Sequence, residues 1–272
     1  MSARVTSNDE LNDMQPTLGL EAFVLILLAT VVGAFAAVIV LPAWLPGLSE
    51  SLLGAEPKAY WYLSRGSAMI GFLMLWASMA FGLVITNRMA RLWPGGPAAF
   101  DLHQYLSILG MAFALLHGTL LLGDRYMNFS LLQVVVPFTT QSYRPIWVGI
   151  GQISFYLWAI VVLSFYVRKQ MGNSAWRLIH YASFLSFVMA LAHGIASGTN
   201  SKEMWAQDMY WVAGGSLLFL TIYRILVTSS QKAKTPAVGN NGHRREIRVL
   251  EGENLLALPR AQRDTFNAND VN

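Results

Sequence analysis

The sequence predicts an all-α, polytopic membrane protein built as a bundle of six transmembrane helices. Of its 272 residues, 54% are hydrophobic and only 12% are charged, whereas a soluble domain carries about 25% charged residues. The apolar residues also form blocks of about 20, which is the length that crosses a hydrocarbon core of about 30 Å. Because backbone groups in lipid must satisfy their own hydrogen bonds, these blocks are expected to be helices.

Six apolar spans are separated by polar connections. The first is too long for the apolar core of a signal peptide and is predicted to be a retained membrane helix. The domain order is therefore a polar N-terminal segment (1–17), a six-helix domain (18–228) and a polar tail (229–272) that is flexible or docked on a partner. The predicted spans are 18–41, 66–86, 102–122, 146–167, 175–197 and 209–228.

The distribution of Lys and Arg predicts that both termini are cytoplasmic, in a bacterial-type inner or plasma membrane. The connections after the second and fourth spans and the C-terminal flank carry basic residues with few acids, whereas the other connections mix both signs. The net charge of +4 fits such loops, and no nucleic-acid partner is expected. Between the third and fourth spans, the apolar stretch NFSLLQVVVPF is too short to cross and is predicted to be interfacial or re-entrant.

Four of the five histidines lie in predicted spans, where ionisable side chains are costly and usually functional. His103 and His117 are 14 positions apart on the third span, about 21 Å along a helix. His180 and His193 are 13 positions apart on the fifth span, about 19.5 Å. Because these spans run in the same direction, His103 shares a depth with His180 near the cytoplasm, and His117 shares one with His193 near the outside.

Each depth therefore offers two imidazoles across an apolar slot, as six-coordinate haem iron requires. The sequence predicts two b-type haems whose iron is ligated by these histidine pairs. On a straight helix, 13 residues would turn His193 away from His180. A local bend or bulge near Gly194, or haem planes rotated relative to each other, would accommodate this offset.

Other interpretations of the histidines remain. Each one could be a packing residue, although two matched depths disfavour that for all four. A proton relay or a non-haem metal is disfavoured because the pairs are about 20 Å apart and no acid accompanies them. The absence of cysteine excludes disulfides, iron–sulfur clusters and thiolate metal sites. His243, in the tail, is expected to be solvated.

Four segments resemble the ferric reductase-like transmembrane domain family. They are SRGSAMIGFLMLW, DLHQYLSILGMAFALLHG, SYRPIWVGIGQISFYL and WRLIHYASFLSFVMALAHGIASGTN. The family includes the membrane parts of ferric reductases and NADPH oxidases, and the haem subunit of the bacterial methionine-sulfoxide reductase system. The resemblance covers about residues 60–228.

The resemblance implies electron transfer across the membrane, from the cytoplasmic haem to the outer haem and on to an acceptor outside. It also implies that Arg65, at the outer end of the second span, pairs with an outer haem propionate; an interfacial, snorkelling arginine is the alternative. Arg91, Arg177 and Arg224 are the corresponding candidates for the inner propionates. Phe113 and Phe187 lie either between the haems or in ordinary core.

The chain also departs from the family pattern. No Gly-rich dinucleotide loop follows the sixth span, so the electron donor is expected to be a separate protein or the quinol pool. Leu121 stands where NADPH oxidases carry a further histidine, so a specialised oxygen-reducing site is not expected. The leading hypothesis is an electron-transfer oxidoreductase subunit. The alternatives are an accessory or structural subunit of a larger membrane redox or photosynthetic complex, and a variant with one haem.

Overall fold

The computed structural model describes residues 16–54, 58–87, 89, 95–141 and 143–234. This part of the chain is helical and contains no strand. Six of its helices are long and apolar enough to cross a membrane. The predicted all-α, six-helix fold class is therefore confirmed, and the chain is a multi-pass membrane protein.

The six long helices follow the order of the predicted spans, and short helices occupy three of the connections. In chain order the helices are α1 (Leu20–Trp44), α2 (Pro46–Leu53), α3 (Lys58–Thr86), α4 (Gly96–Leu120), α5 (Leu131–Val135), α6 (Pro145–Tyr166), α7 (Arg168–Met171), α8 (Asn173–Ser197) and α9 (Met204–Lys234). A 3₁₀ turn over Leu121–Gly123 extends α4.

The largest difference from the predicted bounds is at the second span, which begins at Lys58 rather than at residue 66. Hydropathy detects only the apolar run, whereas helical hydrogen bonding continues through the polar and aromatic residues beside it. For the same reason α9 continues past the predicted end at residue 228. By their contacts, the described residues up to Arg224 and those from Ile225 onward form two units.

The helices α3 and α4 form an antiparallel pair with close backbone approach. A Cβ atom added to Gly71 would lie 3.2 Å from both the Ala114 nitrogen and the Gly110 carbonyl oxygen. Small residues at such crossings allow two membrane helices to pack closely. The pair consequently holds the side chains of one helix in a fixed position against the backbone of the other.

A second antiparallel pair is formed by α6 and α8. The hydroxyls of Ser154 and Ser186 each donate to the backbone carbonyl of the other residue, at 2.8 and 2.9 Å. Both side chains are buried. Satisfied hydrogen bonds of this kind join helices in a solvent where an unpaired hydroxyl would be costly.

An apolar core joins these two pairs to the first and last spans. Buried core residues come from α1, α3, α4, α6, α8 and α9: Phe23, Leu75, Met79, Leu83, Ile108, Met111, Trp158, Phe187, Ala213 and Leu217. On α9, the Ser216 hydroxyl accepts a 2.9 Å hydrogen bond from the indole nitrogen of Trp76. Within this core, Met111 lies between the two histidines of α4 and Phe187 between the two histidines of α8.

Substituting Gly110 with alanine should destabilise this core. The added Cβ would lie 2.8 Å from the buried indole of Trp158 and 3.0 Å from the Met74 Cβ, and overpacking of this kind costs about 1–3 kcal/mol. The matched control is Gly215→Ala, because a Cβ there meets nothing within 4 Å. Thermal unfolding in detergent should give a clearly lower midpoint for Gly110→Ala, and equal midpoints would contradict the packing.

Candidate functional site

The structure brings the four histidines of the predicted spans together as two facing pairs. The ring centroids of His103 and His180 are 6.1 Å apart, with 64° between the ring planes. Those of His117 and His193 are 6.4 Å apart, at 65°. These are the pairs expected from the two depths, and all four side chains are half-buried.

The spacing within each pair suits a shared metal centre between the rings. A metal ion about 2.0 Å from one nitrogen of each ring would separate the ring centres by about 6 Å. In the described part of the chain, no cluster of three or more His, Cys, Asp or Glu side chains could hold a metal ion. Each level thus offers two protein nitrogens, which is the number that axial ligation of haem iron uses.

Hydrogen bonds to backbone carbonyls orient three of the four imidazoles. A carbonyl oxygen only accepts, so the Nδ1 atom of each of these rings carries a proton, and the Nε2 of the neutral ring keeps a free lone pair. Metal-binding histidines usually show this arrangement. The bonds run from His103 to the Ser78 carbonyl (2.8 Å), from His117 to the Ser64 carbonyl (2.9 Å) and from His193 to the Trp147 carbonyl (2.8 Å).

The fourth imidazole, that of His180, is held differently. Its ring centre is 5.1 Å from the indole of Trp176, one helical turn earlier on α8, with the planes tilted by 34°. Among the described residues, no backbone carbonyl accepts a hydrogen bond from it. Contact with an aromatic ring rather than a carbonyl therefore orients the inner ligand on α8.

The 13-residue offset on α8 needs no bulge. This helix is unbroken from Asn173 to Ser197 and has no π turn at Gly194, so the bulge suggested from the spacing is absent. The His193 ring donates a hydrogen bond to the Trp147 carbonyl of α6, whereas the His180 ring contacts Trp176 of its own helix. Different neighbours therefore hold the two rings along one continuous helix.

A cavity of about 280 Å³ contains the outer pair, His117 and His193. Its lining is mainly apolar and includes Phe72, Leu75 and Trp158. Four buried polar atoms of its lining residues have no hydrogen-bond partner in the described part of the chain: Arg65 Nε, Gln152 Oε1, Ser197 Oγ and Asn200 Oδ1. This cavity therefore fits a mainly apolar ligand that also carries polar groups.

Arg65 lies where the sequence placed it relative to the outer pair, but not relative to its helix. Because α3 begins at Lys58, Arg65 is about two turns inside the helix rather than at its end. Its guanidinium carbon is 5.5 Å from the centre of the Trp61 ring, and it lines the cavity beside His117. Pairing of Arg65 with a propionate stays a prediction.

The connection between the third and fourth long helices contributes Met127, Phe129, Gln133 and Val134 to the cavity lining. Ser130 and Gln133 form a capping box at the start of α5. The Gln152 amide, on α6, donates to the Gln133 and Val134 carbonyls at 2.8 and 2.7 Å, and the Tyr156 hydroxyl donates to the Val135 carbonyl. The apolar stretch thus packs on α6. Gln152, an amide within a predicted span, was the sequence signal for this contact.

Sequence reasoning also missed a buried cation close to the inner level. The guanidinium carbon of Arg168 is 4.0 Å from the centre of the Phe165 ring. That ring contacts Trp176, which in turn contacts His180. Burial lowers the pKa of Arg168, although an arginine side chain stays protonated in proteins. The inner pair therefore has a fixed positive charge nearby, connected to it through two aromatic rings.

The remaining candidates are dispersed or lie outside the described residues. Arg91 and His243 are outside them. Arg177 Nε donates to the Asn173 carbonyl at 3.3 Å, and Arg224 is half-buried on α9. Phe187 is buried and stacks on Phe72 at 5.8 Å, Phe113 is half-buried, and Leu121 lines the outer cavity.

No family model, curated protein or solved structure matches this chain. The likeness to the ferric reductase-like family consequently stays an expectation based on the segments given above.

Proposed function

We propose that this chain is a two-haem, b-type membrane cytochrome that moves electrons across the membrane. His103 and His180 would hold the inner haem, and His117 and His193 the outer haem. The observation that carries the proposal is the pair of facing imidazoles at each of two levels, with centroid separations of 6.1 and 6.4 Å. Three of these rings are already oriented through Nδ1, which leaves Nε2 free to bind iron.

The surroundings of the outer pair also fit a haem. A porphyrin is an apolar disc with two carboxylates at one edge, and the cavity has a mainly apolar lining that includes four buried polar atoms without a partner among the described residues. The buried Nε of Arg65 lacks a hydrogen-bond partner among the described residues, so Arg65 is the residue proposed to hold a propionate. When bound, haem iron supplies one-electron redox chemistry.

Two levels of ligands suit transfer of charge through lipid. The 14 residues between His103 and His117 correspond to about 21 Å along α4. The chain's residues orient both ligand pairs, exclude water from the core between them and provide an apolar environment. These features together tune the reduction potential at each level.

The orientation of the protein is proposed from its basic connections. Both termini would face the cytoplasm of a bacterial-type inner or plasma membrane, with the His103 level on that side. The electron donor would be a separate cytoplasmic-side protein or quinol, and the acceptor would be outside. An accessory subunit without redox activity is the rival function, and measurement of haem in the isolated protein distinguishes the two.

Replacing one histidine of a pair should remove one haem and retain the other. In His117→Leu or His193→Leu, only the inner pair keeps both axial nitrogens, so the purified protein should contain about one haem per chain. His103→Leu or His180→Leu should likewise keep only the outer haem. The matched control is His243→Leu, which should keep two haems by pyridine haemochrome assay. Unchanged haem content in the four variants would refute the pairing.

A methyl group at Gly151 should disturb the outer level alone. The added Cβ would lie 2.5 Å from Nδ1 of His193, so the ring must move from its carbonyl partner. Gly118→Ala is the control in the same cavity, because its Cβ would meet only Val134, at 3.5 Å. Absorption spectra should show a lost or altered outer haem only in Gly151→Ala. A spectrum identical to that of Gly118→Ala would contradict the site geometry.

The orientation can be tested with single cysteines, since the sequence contains none. Tyr126, 88% exposed in the connection after α4, is expected outside. Lys169, exposed between α6 and α8, is expected inside. An impermeant maleimide should label Tyr126→Cys in intact cells and Lys169→Cys only after lysis. The reverse labelling would show the opposite orientation.

A further inference from the structure

Two buried serines of α3 occupy equivalent positions beside the two histidines of α4. Ser64 and Ser78 are each 2% exposed, and they are 14 residues apart, as are His117 and His103. The antiparallel register of the helices therefore sets Ser64 against His117 and Ser78 against His103. The same local arrangement occurs twice, once at each level.

Each serine contacts its histidine through three atom pairs. The Ser64 hydroxyl oxygen is 2.9 Å from Nδ1 of His117 and 3.2 Å from the His117 carbonyl oxygen. The Ser78 hydroxyl oxygen is 3.0 Å from Nδ1 of His103 and 3.1 Å from the His103 carbonyl oxygen. The backbone carbonyl of each serine accepts from the same Nδ1, at 2.9 and 2.8 Å.

These contacts fix the direction of the hydrogen bonds. Nδ1–H already donates to the serine carbonyl, so the hydroxyl oxygen can only be a second acceptor for that proton. The single hydroxyl proton is then free to go to the histidine carbonyl, or at the inner level to the Ser107 hydroxyl 2.6 Å away. One serine thus surrounds one imidazole proton with two oxygen acceptors.

We propose that Ser64 and Ser78 are positioning residues that lower the reduction potential of the haem at their own level. This inference rests on the proposed function. Two acceptors on Nδ1–H make the imidazole a more basic ligand, and a more basic ligand favours ferric over ferrous iron. They also fix the rotation of the ring about its side chain.

Among the described residues, only the histidine of α4 in each pair contacts a serine hydroxyl. On α8, His193 contacts a backbone carbonyl of Trp147 and His180 contacts an indole. In the part of the chain that the structure describes, no hydroxyl lies at hydrogen-bond distance from either of these rings. The two serines are therefore the side chains through which substitution can alter ligand basicity at one level without removing a ligand.

The test uses redox titration of the full-length protein in membranes, followed by the absorbance of each haem. Ser64→Ala should raise the midpoint potential of the outer haem, and Ser78→Ala that of the inner haem. A three- to tenfold change in the ratio of ferric to ferrous affinity corresponds to about 30–59 mV for one electron. Single-haem backgrounds assign the signals: with His117→Leu present, only Ser78→Ala should produce a shift, and with His103→Leu present, only Ser64→Ala should.

Ser164→Ala is the matched control, because this serine is equally buried but bonds only within its own helical turn. It should leave both potentials unchanged. Selective loss of the outer haem in Ser64→Ala, or of the inner haem in Ser78→Ala, would also support the inference, because weaker orientation of a ligand lowers metal affinity. The inference is overturned if both haems remain with potentials like those of Ser164→Ala, or if either variant loses both haems. A wild-type chain without haem would instead refute the proposed function.

Discussion

The register between α3 and α4 is the constraint on which the candidate site depends. These helices approach closely at Gly71 and Gly110, and this contact determines which carbonyl of α3 each histidine of α4 meets. Because His103 and His117 are separated by the same number of residues as Ser78 and Ser64, one register satisfies both levels. A shift of this register by one residue would remove both imidazole–carbonyl bonds together.

The second helix pair completes each level in a less symmetric way. The register of α6 and α8 is set by the reciprocal bonds of Ser154 and Ser186. Seven residues from these serines, in opposite directions along the two helices, lie Trp147 and His193, which are also joined by a hydrogen bond. The inner ligand of α8, His180, depends on Trp176 instead. Both levels therefore have two histidines, but the groups that orient these histidines differ between the levels.

The sequence predicted the spans and the histidine pairing because both follow from periodicity and hydropathy. It predicted the start of α3 and the end of α9 poorly, because hydropathy does not report helical hydrogen bonding in the polar residues beside an apolar run. It could not show that α8 presents His180 and His193 without a bulge, since that depends on which neighbour holds each ring. The contacts of Ser64 and Ser78 were equally hidden, because small polar residues occur throughout membrane helices.

The central claim is that each facing pair of imidazoles binds one haem. The most direct test is the reduced-minus-oxidised spectrum of the purified wild-type chain, combined with a pyridine haemochrome assay and a protein determination. We expect a b-type spectrum with low-spin, six-coordinate iron and about two haems per chain. A folded preparation without a b-type signal would contradict haem binding by these pairs, and one haem per chain would restrict haem binding to a single level.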